Sequence, residues 1–448
     1  MTIDVLKNDL KAAACEMLLR INRSPMIFGP KYVSRLRNYW STDSCKLVMA
    51  VANKALVTVP YYRRQRPVAR VGNIGEFKAT FATIDKDVVL ANFQDFIADD
   101  INFARYDLCT TGGTSGKPMK LVLPKDRYVH EFSALHNVWA QVGYQFSPRA
   151  VVRNQRLEGR DFVVNPVLRE YVFDGFRSTD EYLGRIYDVM KSRRIGFYHG
   201  YTSNAHEFAR FLARERLDHS FLNAFITTSE NFYAHQKAAF DALDGVRHVN
   251  FYGHSEKLVL AAYCSLSGRY HFHQQYGFCE LLDEDGDDVS EVGQIGEITG
   301  STIYNLGMPL LRYRTGDFAR FAGFGKCLHC GHDGMSASEI LGRWQGDRVY
   351  NLDGSYITTT ALNLHSDLYA RIQGLQYVQV RHGELIVRVV PGDGFNDLIA
   401  ARLRADVVSK MAPNSTVIVE QVSELERSSN GKFLLLVSRF GSGSAGVE

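Results

Sequence analysis

Five short segments carry residue types able to do chemistry. Thr110 to Leu121 runs TTGGTSGKPMKL. Gly112, Gly113 and Gly116 permit tight backbone geometry, so successive amides can converge on an anion. Thr110, Thr111, Thr114 and Ser115 add hydroxyls and Lys117 adds a charge, a combination suited to phosphate oxygens. A Walker A loop is excluded, because Thr111 stands where its first glycine belongs and Pro118 where Ser or Thr belongs. An ordinary Gly/Ser/Thr-rich turn explains this segment equally well.

The second segment is NFYGHSEK, Asn250 to Lys257. A strand ending in Tyr252-Gly253, followed by Ser255 and Glu256, would set an aromatic face and a carboxylate at the mouth of a sheet. Ligands of open α/β sheets bind at such strand ends. Tyr252 suits stacking on a purine, and Glu256 suits holding Mg²⁺ through oxygen. A core tyrosine followed by a solvated glutamate is the plainer alternative. In RYRTGDF, Arg312 to Phe318, Asp317 can accept two hydrogen bonds from vicinal hydroxyls such as a ribose presents. Bonds of that charged type contribute ~1.5–3 kcal/mol each. A capping turn would use the same residues. Arg343 and Asp347 border a change of texture in ILGRWQGDRVYNLDG, and Lys432 lies on a glycine turn in SSNGKF, where a solvated charge is the ordinary expectation.

The elements that must position these residues follow from pattern. The first hundred residues look mostly helical, and from about Asn102 short β-rich runs alternate with helical segments. Phe221 to Thr227 is expected as a buried strand, Glu230 to Leu243 as a helix, Val249 to Tyr252 as a strand and Lys257 to Cys264 as another. This alternation predicts an α/β fold: a large N-terminal domain of mixed sheets and helices over residues 1–342. After Gly342, QYVQVRHG, ELIVRVV and STVIVEQV alternate as strands do, and Asp397 to Met411 has the pattern of a helix. A small α+β C-terminal domain over residues 343–440 fits there, with a flexible tail at 441–448.

Composition removes several function classes. The 448-residue chain is 45% hydrophobic, with 52 Lys and Arg against 49 Asp and Glu, a formal net charge of +3. Such a balance argues against the concentrated basic surface of a nucleic-acid binder, zinc-dependent or otherwise. The N-terminus mixes both charge signs and lacks the apolar core of a secretory signal, and no run is long enough to cross a bilayer. Seven scattered cysteines do not form a disulfide framework. A cytoplasmic globular protein is the expectation.

In order and spacing, the five segments resemble the adenylate-forming superfamily of acyl-CoA synthetases, adenylation domains and luciferases. Within it the chain is similar to the phenylacetate–CoA ligase family, and most to its capsular-polysaccharide-biosynthesis (CapK-like) branch. The resemblance spans about Pro60 to Lys432. It implies that Thr110 to Lys117 hold ATP phosphates and that Ser229-Glu230 contact adenine. It further implies that Tyr252 stacks on adenine, Glu256 holds Mg²⁺, Asp317 binds ribose and Arg343 meets ribose or phosphate. Lys432 is then the catalytic lysine bridging the substrate carboxylate and the α-phosphate, with a hinge between Arg343 and Asp347. Two departures stand out: the phosphate loop differs from Ser/Thr-Ser-Gly-Thr-Thr-Gly-Lys-Pro, and Trp344 to Gly346 lengthens the usual Arg-x-Asp-Asp spacing.

The implied activity is ATP-dependent, AMP-forming activation of a small carboxylic acid, with coenzyme A as acceptor. An amine or hydroxyl acceptor is the alternative, and a non-catalytic nucleotide-binding scaffold is a second. A homodimer is one expected assembly. The implied acyl pocket involves Tyr198, Gly200 and Tyr201 in YHGYTS, with residues near Trp139 and Tyr144. A separate signal is CLHCGH, in which Cys327 and Cys330 form a CxxC of the kind that makes half a zinc site. The family pattern, a Cys followed seven residues on by a His, is kept by Cys264 and His271. It implies a Cys₃His structural zinc, with His273, His329 and His332 as weaker substitutes.

Overall fold

The computed structural model describes residues 14–21, 28–65, 70–110, 119–153, 155, 157, 159–175, 177, 179–230, 232–343, 348–354, 356–358, 362, 368, 371–412, 414–427 and 434–439. The chain divides into two compact units, Met1–Phe232 with Gln236–Ile340, and Tyr233–His235 with Leu341–Glu448.

In the first unit residues 14–21 are helical, and helices Pro30–Arg37 (α1), Ser44–Thr58 (α2), Pro60–Gln65 (α3), Ile74–Thr80 (α4) and Lys86–Ala91 (α5) follow, as the sequence predicts for this stretch. Three of them begin on a side chain that caps an amide: Asp43 accepts from Lys46 N, Asn73 from Glu76 N and Asp85 from Val88 N. A separate hairpin, Tyr106–Thr110 (β1) and Lys120–Pro124 (β2), follows. Then Arg127–Trp139 (α6) leads into a twelve-stranded mixed sheet.

That sheet is made of Arg149–Arg153 (β3), Phe162–Asn165 (β4), Glu170–Asp174 (β5), Phe197–Tyr201 (β6), Ala224–Thr228 (β7), Arg247–Gly253 (β8), Leu260–Cys264 (β9), Arg269–Phe272 (β10), Phe278–Leu282 (β11), Ile295–Ser301 (β12), Tyr313–Lys326 (β13) and Asp333–Arg343 (β14). Its order is β11-β12-β13-β14-β10-β9-β8-β7-β6-β3-β5-β4. Strands β5, β3, β6, β7 and β8 run parallel, with Asp180–Arg193 (α7), Thr202–Arg214 (α8) and Ala234–Asp241 (α9) between them in the chain. Alternation sorts their side chains to two faces. Ala150, Val152, Tyr198 and Phe225 pack with Ile186, Phe208 and Phe240 of the helices. Phe197, Ala224, Ile226 and Val249 face the other way, onto Leu135, Val138 and Trp139 of α6.

Two boundaries differ from expectation. The helix expected from Glu230 begins at Ala234, because Ser229 turns the chain with φ +68° and Glu230 is used elsewhere. The strand expected from Lys257 begins at Leu260, leaving His254 to Val259 to form a loop.

In the second unit, Arg348–Tyr350 (β15) pairs with Tyr356–Thr358 (β16). Four further strands, Ile372–Arg381 (β17), Glu384–Pro391 (β18), Thr416–Gln421 (β19) and Leu436–Ser438 (β20), form a sheet of order β19-β18-β17-β20. Leu385, Val387 and Val389 alternate inward along β18 and pack with Leu403 and Val407 of Asp397–Lys410 (α10). Among the described residues no helix is long and apolar enough to cross a membrane.

Candidate active site and metal-ligating cluster

The carboxyl ends of the parallel strands gather most of the described candidate residues. At the end of β7, Glu230 reaches the first turn of α8, accepting from Ser203 N at 2.7 Å and from Ser203 Oγ at 3.1 Å. A carboxylate there is favoured by the amides it satisfies and by the helix dipole. Thr228 Oγ1 donates to Phe251 O at 3.1 Å, tying the end of β7 to that of β8. One turn of sheet below, buried Asn250 donates to Thr202 Oγ1 (3.2 Å) and Thr227 Oγ1 (3.0 Å) and accepts from Tyr270 OH (2.7 Å). This fully engaged amide locks β8, β10 and the start of α8 in one register.

Tyr252 and Asp317 meet although 65 residues separate them: the phenol donates to Asp317 Oδ2 at 2.7 Å. Burial first, and the Asp317 carboxylate second, push the phenol pKa well above its ordinary value, so it remains a donor. Asp317 is placed by an irregular stretch of β13. The β12–β13 register shifts between Glu297 and Thr299, Gly316 takes φ +74°, and Asp317 N donates to Thr315 Oγ1 at 3.1 Å. Only glycine adopts that φ without strain. Glu297 accepts from Gly316 N at 2.9 Å and pairs with Arg314, fixing the turn.

Glu256 lies half-buried in the loop between β8 and β9. His254 Nδ1 donates to its Oε2 at 2.8 Å, and Tyr313 OH approaches its Oε1 at 3.4 Å. Lys257 follows with φ +60° and pairs with Glu131 of α6. One carboxylate held by donors on two sides can still offer lone pairs to a hard cation.

Cys264, His271, Cys327 and Cys330 converge, with one ligand atom of each within 4.8 Å of the others. Two hairpins bring them together. Cys264 ends β9 and His271 lies on β10, while Cys327 and Cys330 lie in the turn from β13 to β14. The β10–β14 pairing, Tyr270 to Ala337 and His271 to Ser336, joins the two. A tetrahedral thiolate site with Zn–S near 2.3 Å needs S···S spacings of about 3.8 Å, so sub-ångström shifts suffice. The electrostatics fit a thiolate site. Cys264 is drawn well below the usual thiol range by the bond from Cys330, with His271 and Ser267 adding to it. Cys330 is raised by the same contact, so one proton is shared between them. Burial opposes ionisation of Cys327, yet the amides of Cys330 and His329 outweigh it and lower its pKa. Amides aimed at sulfur are the second layer that a metal–thiolate centre needs. The substitutes are otherwise engaged or remote: His332 Nε2 meets Phe272 O at 3.1 Å, His273 Nδ1 meets Tyr39 OH at 3.1 Å, and His329 is exposed.

No family model matches the chain, and no curated protein matches it in sequence. Its structure is similar to that of 2-hydroxyisobutyryl-CoA ligase in the postadenylation state in complex with 2-HIB-AMP. The TM-score is 0.65 at 15% identity, covering 91% of this chain and 90% of that one. The same ligase with 2-HIB-AMP and CoA in the thioesterification state gives 0.54 at 16% identity, with coverage of 91% and 90%. Its open conformation with the same two ligands gives 0.53 at 15% identity, with coverage of 87% and 90%. The chain has the fold of an adenylate-forming ligase.

Within this adenylate-forming fold, Ser229, Glu230, Tyr252, Gly253, Ser255, Glu256 and Asp317 all lie on or beside the strand ends. Gly200 and Tyr201 close β6 on the same side; a Cβ on Gly200 would meet Val152 O at 3.1 Å, so glycine keeps β3 and β6 close. Tyr198 does not join them. Its ring is buried and stacks on Phe208 at 5.0 Å, on the face that packs against α8. Residues 111–118, which include Thr111 to Lys117, lie outside the described residues, as do Asp347 and Lys432. Thr110 ends β1 and Arg343 ends β14, each described by its backbone alone. Sequence reasoning missed His254, Tyr313 and Thr315 as partners of the carboxylates. All three stand inside segments already singled out, so the signal was their donor chemistry next to an acid.

Proposed function

We propose that this chain is an ATP-dependent, AMP-forming carboxylate ligase. The observation that carries the reading is the convergence of Tyr252, Asp317 and Glu256, donated from β8, β13 and the loop between β8 and β9. Tyr252 orients Asp317 through Oδ2, and this carboxylate is the group assigned to accept the ribose hydroxyls. The Tyr252 ring then lies beside that ribose, where adenine would stack. Glu256, steadied by His254, is the residue to hold Mg²⁺; when bound, that ion neutralises charge on the phosphate oxygens.

The reaction solves a leaving-group problem. A carboxylate delocalises its charge and cannot expel oxide. When its oxygen attacks the α-phosphorus of ATP, a new P–O bond forms and the bond to the β-phosphate oxygen breaks. Pyrophosphate departs and AMP becomes the leaving group of a mixed anhydride. Lys432 is assigned to the charge that builds between carboxylate and α-phosphate, and residues 110–117 to the departing phosphates. Coenzyme A is the proposed acceptor, its thiolate displacing AMP to give a thioester. The similar ligase with CoA bound supports that choice over an amine or hydroxyl. The Cys₃His cluster is proposed to hold Zn²⁺ with all four positions filled by protein, which makes it structural.

ATP–pyrophosphate exchange over a panel of carboxylic acids tests the first half-reaction. Acid-dependent exchange supports it, whereas no exchange across a broad panel would favour a nucleotide-binding scaffold. Adding CoA, amines or sugars and weighing the product then identifies the acceptor.

A further inference from the structure

Arg35 lies on α1, an element that carries none of the nucleotide-site residues. Its Nε and Nη2 are fully covered, and among the described residues neither has a hydrogen-bond partner. Burial lowers its pKa, and the groups that act on it are three tyrosines, Tyr39, Tyr304 and Tyr276, with no carboxylate among them. Arg35 is half-buried, and covering two of its three guanidinium nitrogens with no anion beside them is unfavourable, so the position favours an anionic partner.

His130 of α6 shares the enclosure. It is 4% exposed, and Arg35 acts with burial to keep it unprotonated. Its Nε2 meets Tyr276 O at 2.7 Å, so that nitrogen carries the proton and Nδ1 is left with a lone pair. Nδ1 has no partner among the described residues. The ring is flanked by Tyr304 at 3.9 Å and Tyr276 at 4.8 Å, each inclined by about a third of a right angle or less. Two guanidinium nitrogens without an acceptor and one ring nitrogen without a donor thus stand among flat aromatic rings, while Glu131, which acts on Tyr276 and Tyr304, is engaged by Lys257. The enclosure also adjoins the candidate active site. His130 precedes Glu131, which pairs with Lys257, the neighbour of Glu256.

We propose that Arg35 and His130 bind an acidic oxygen group, a carboxylate or a phosphate, on the acid substrate at the end remote from its reacting carboxylate. The planar guanidinium donates to two oxygens of such an anion, and a proton taken up with the anion sits on His130 Nδ1, which then donates to it. The tyrosine walls keep water out, which strengthens each bond. Calling the ligand a substrate rests on the adenylation reading above; binding of the oxygen group does not.

Two measurements separate those claims. The first is binding of inorganic phosphate and of succinate, without ATP, followed by calorimetry on wild type and Arg35→Gln. Succinate binding is expected to weaken about 10- to 100-fold in the variant, the range for losing bonds to a charged group. The unliganded variant is expected to melt at or above the wild-type temperature, since a half-buried cation without an anionic partner has gone. A lower melting temperature with unchanged succinate affinity would make Arg35 merely structural and overturn the proposal. The second is ATP–pyrophosphate exchange with matched acids, succinate against butyrate and glutarate against valerate. The variant should raise KM for each diacid about 10-fold or more beyond its effect on the matched monoacid. Equal effects on both members, or Arg35-dependent binding of phosphate alone, would overturn the assignment to the acid. If no acid supports exchange, the adenylation reading fails, while the binding measurement still decides the subsite.

Discussion

Replacing Cys327 with serine is a direct perturbation of the metal-ligating cluster, because it opens the link between two hairpins distant in the chain. A metal bridging Cys264 and Cys327 closes a loop of roughly sixty residues, and a cross-link of that span removes about 4 kcal/mol of unfolded-state entropy. A unit of roughly 340 residues melts with an entropy near 0.7 kcal/mol/K, so the loss amounts to about 6 °C in Tm. Protein purified without chelator should contain about one zinc per chain. A strong chelator should lower wild-type Tm by roughly the amount above and leave the metal-free Cys327→Ser protein unmoved. That second arm matters, since substitution alone disturbs packing whether or not a metal is involved. Zinc content near zero after careful handling, or equal chelator sensitivity in the two proteins, would refute the reasoning.

Three other perturbations address the remaining parts. Lys432→Ala should slow adenylation by the ~2.7–4 kcal/mol typical of one lost charge-stabilising donor, about 100- to 1,000-fold; an exchange rate equal to wild type would show the lysine is misassigned. Tyr252→Phe removes the 2.7 Å bond to Asp317. The freed carboxylate recovers part of the loss from water, so ATP KM should rise about tenfold, near the low end for a charged bond. An unchanged KM in exchange assays would contradict the shared ribose site. Burial, opposed by Asp241, holds buried His248 at about 4, below the unfolded value near 6.5. The unfolded chain therefore takes up a proton first as pH falls. Stability is full above pH 6.5 and declines towards pH 4, and His248→Gln should remove up to about 3 kcal/mol of that acid sensitivity. Parallel melting profiles of both proteins between pH 7 and 4 would speak against it.

Individual strands were legible where a short apolar run is bounded by polar turns, though their order and direction were not. FLNAFIT and VNFY are short apolar runs bounded by polar turns, and they become neighbouring parallel strands β7 and β8. The alternation of ELIVRVV equally specifies which face of β18 meets α10. What pattern does not contain is a side chain's use by a distant partner. Glu230 looked like the start of a helix, yet its carboxylate serves the first turn of α8 instead, which delays α9 by four residues. Tyr198 stood in a segment chosen for its chemistry, but period-two alternation sends it to the α8 face, opposite to His199. Arg35 and His130 carry no local signal. Their significance lies in missing partners, which only the folded chain reveals.

The backbone is strained around the candidate site. Eight non-glycine residues among those described adopt positive φ, and three of them, Ser229, Lys257 and Arg312 at +68°, +60° and +51°, lie in the segments that carry the site residues. One follows β7, one follows Glu256, and one precedes the strand that carries Asp317. Such conformations cost ~1–3 kcal/mol each and persist only where neighbours over-determine them. Here the neighbours are identifiable. Glu230 is pinned to Ser203, Lys257 to Glu131, and Arg312 to buried Glu280 with two further bonds to Lys78 O and Phe81 O. Each anchor is an ion pair or charged bond; Ser229 and Lys257 stand next to Glu230 and Glu256, and Arg312 immediately precedes the strand that carries Asp317. The strain is thus carried by contacts within the chain, beside Glu256 and on the approach to Asp317. The two unpartnered nitrogens of Arg35 extend the same logic, since the fold gives up stability at the position where the proposed acidic group would restore it.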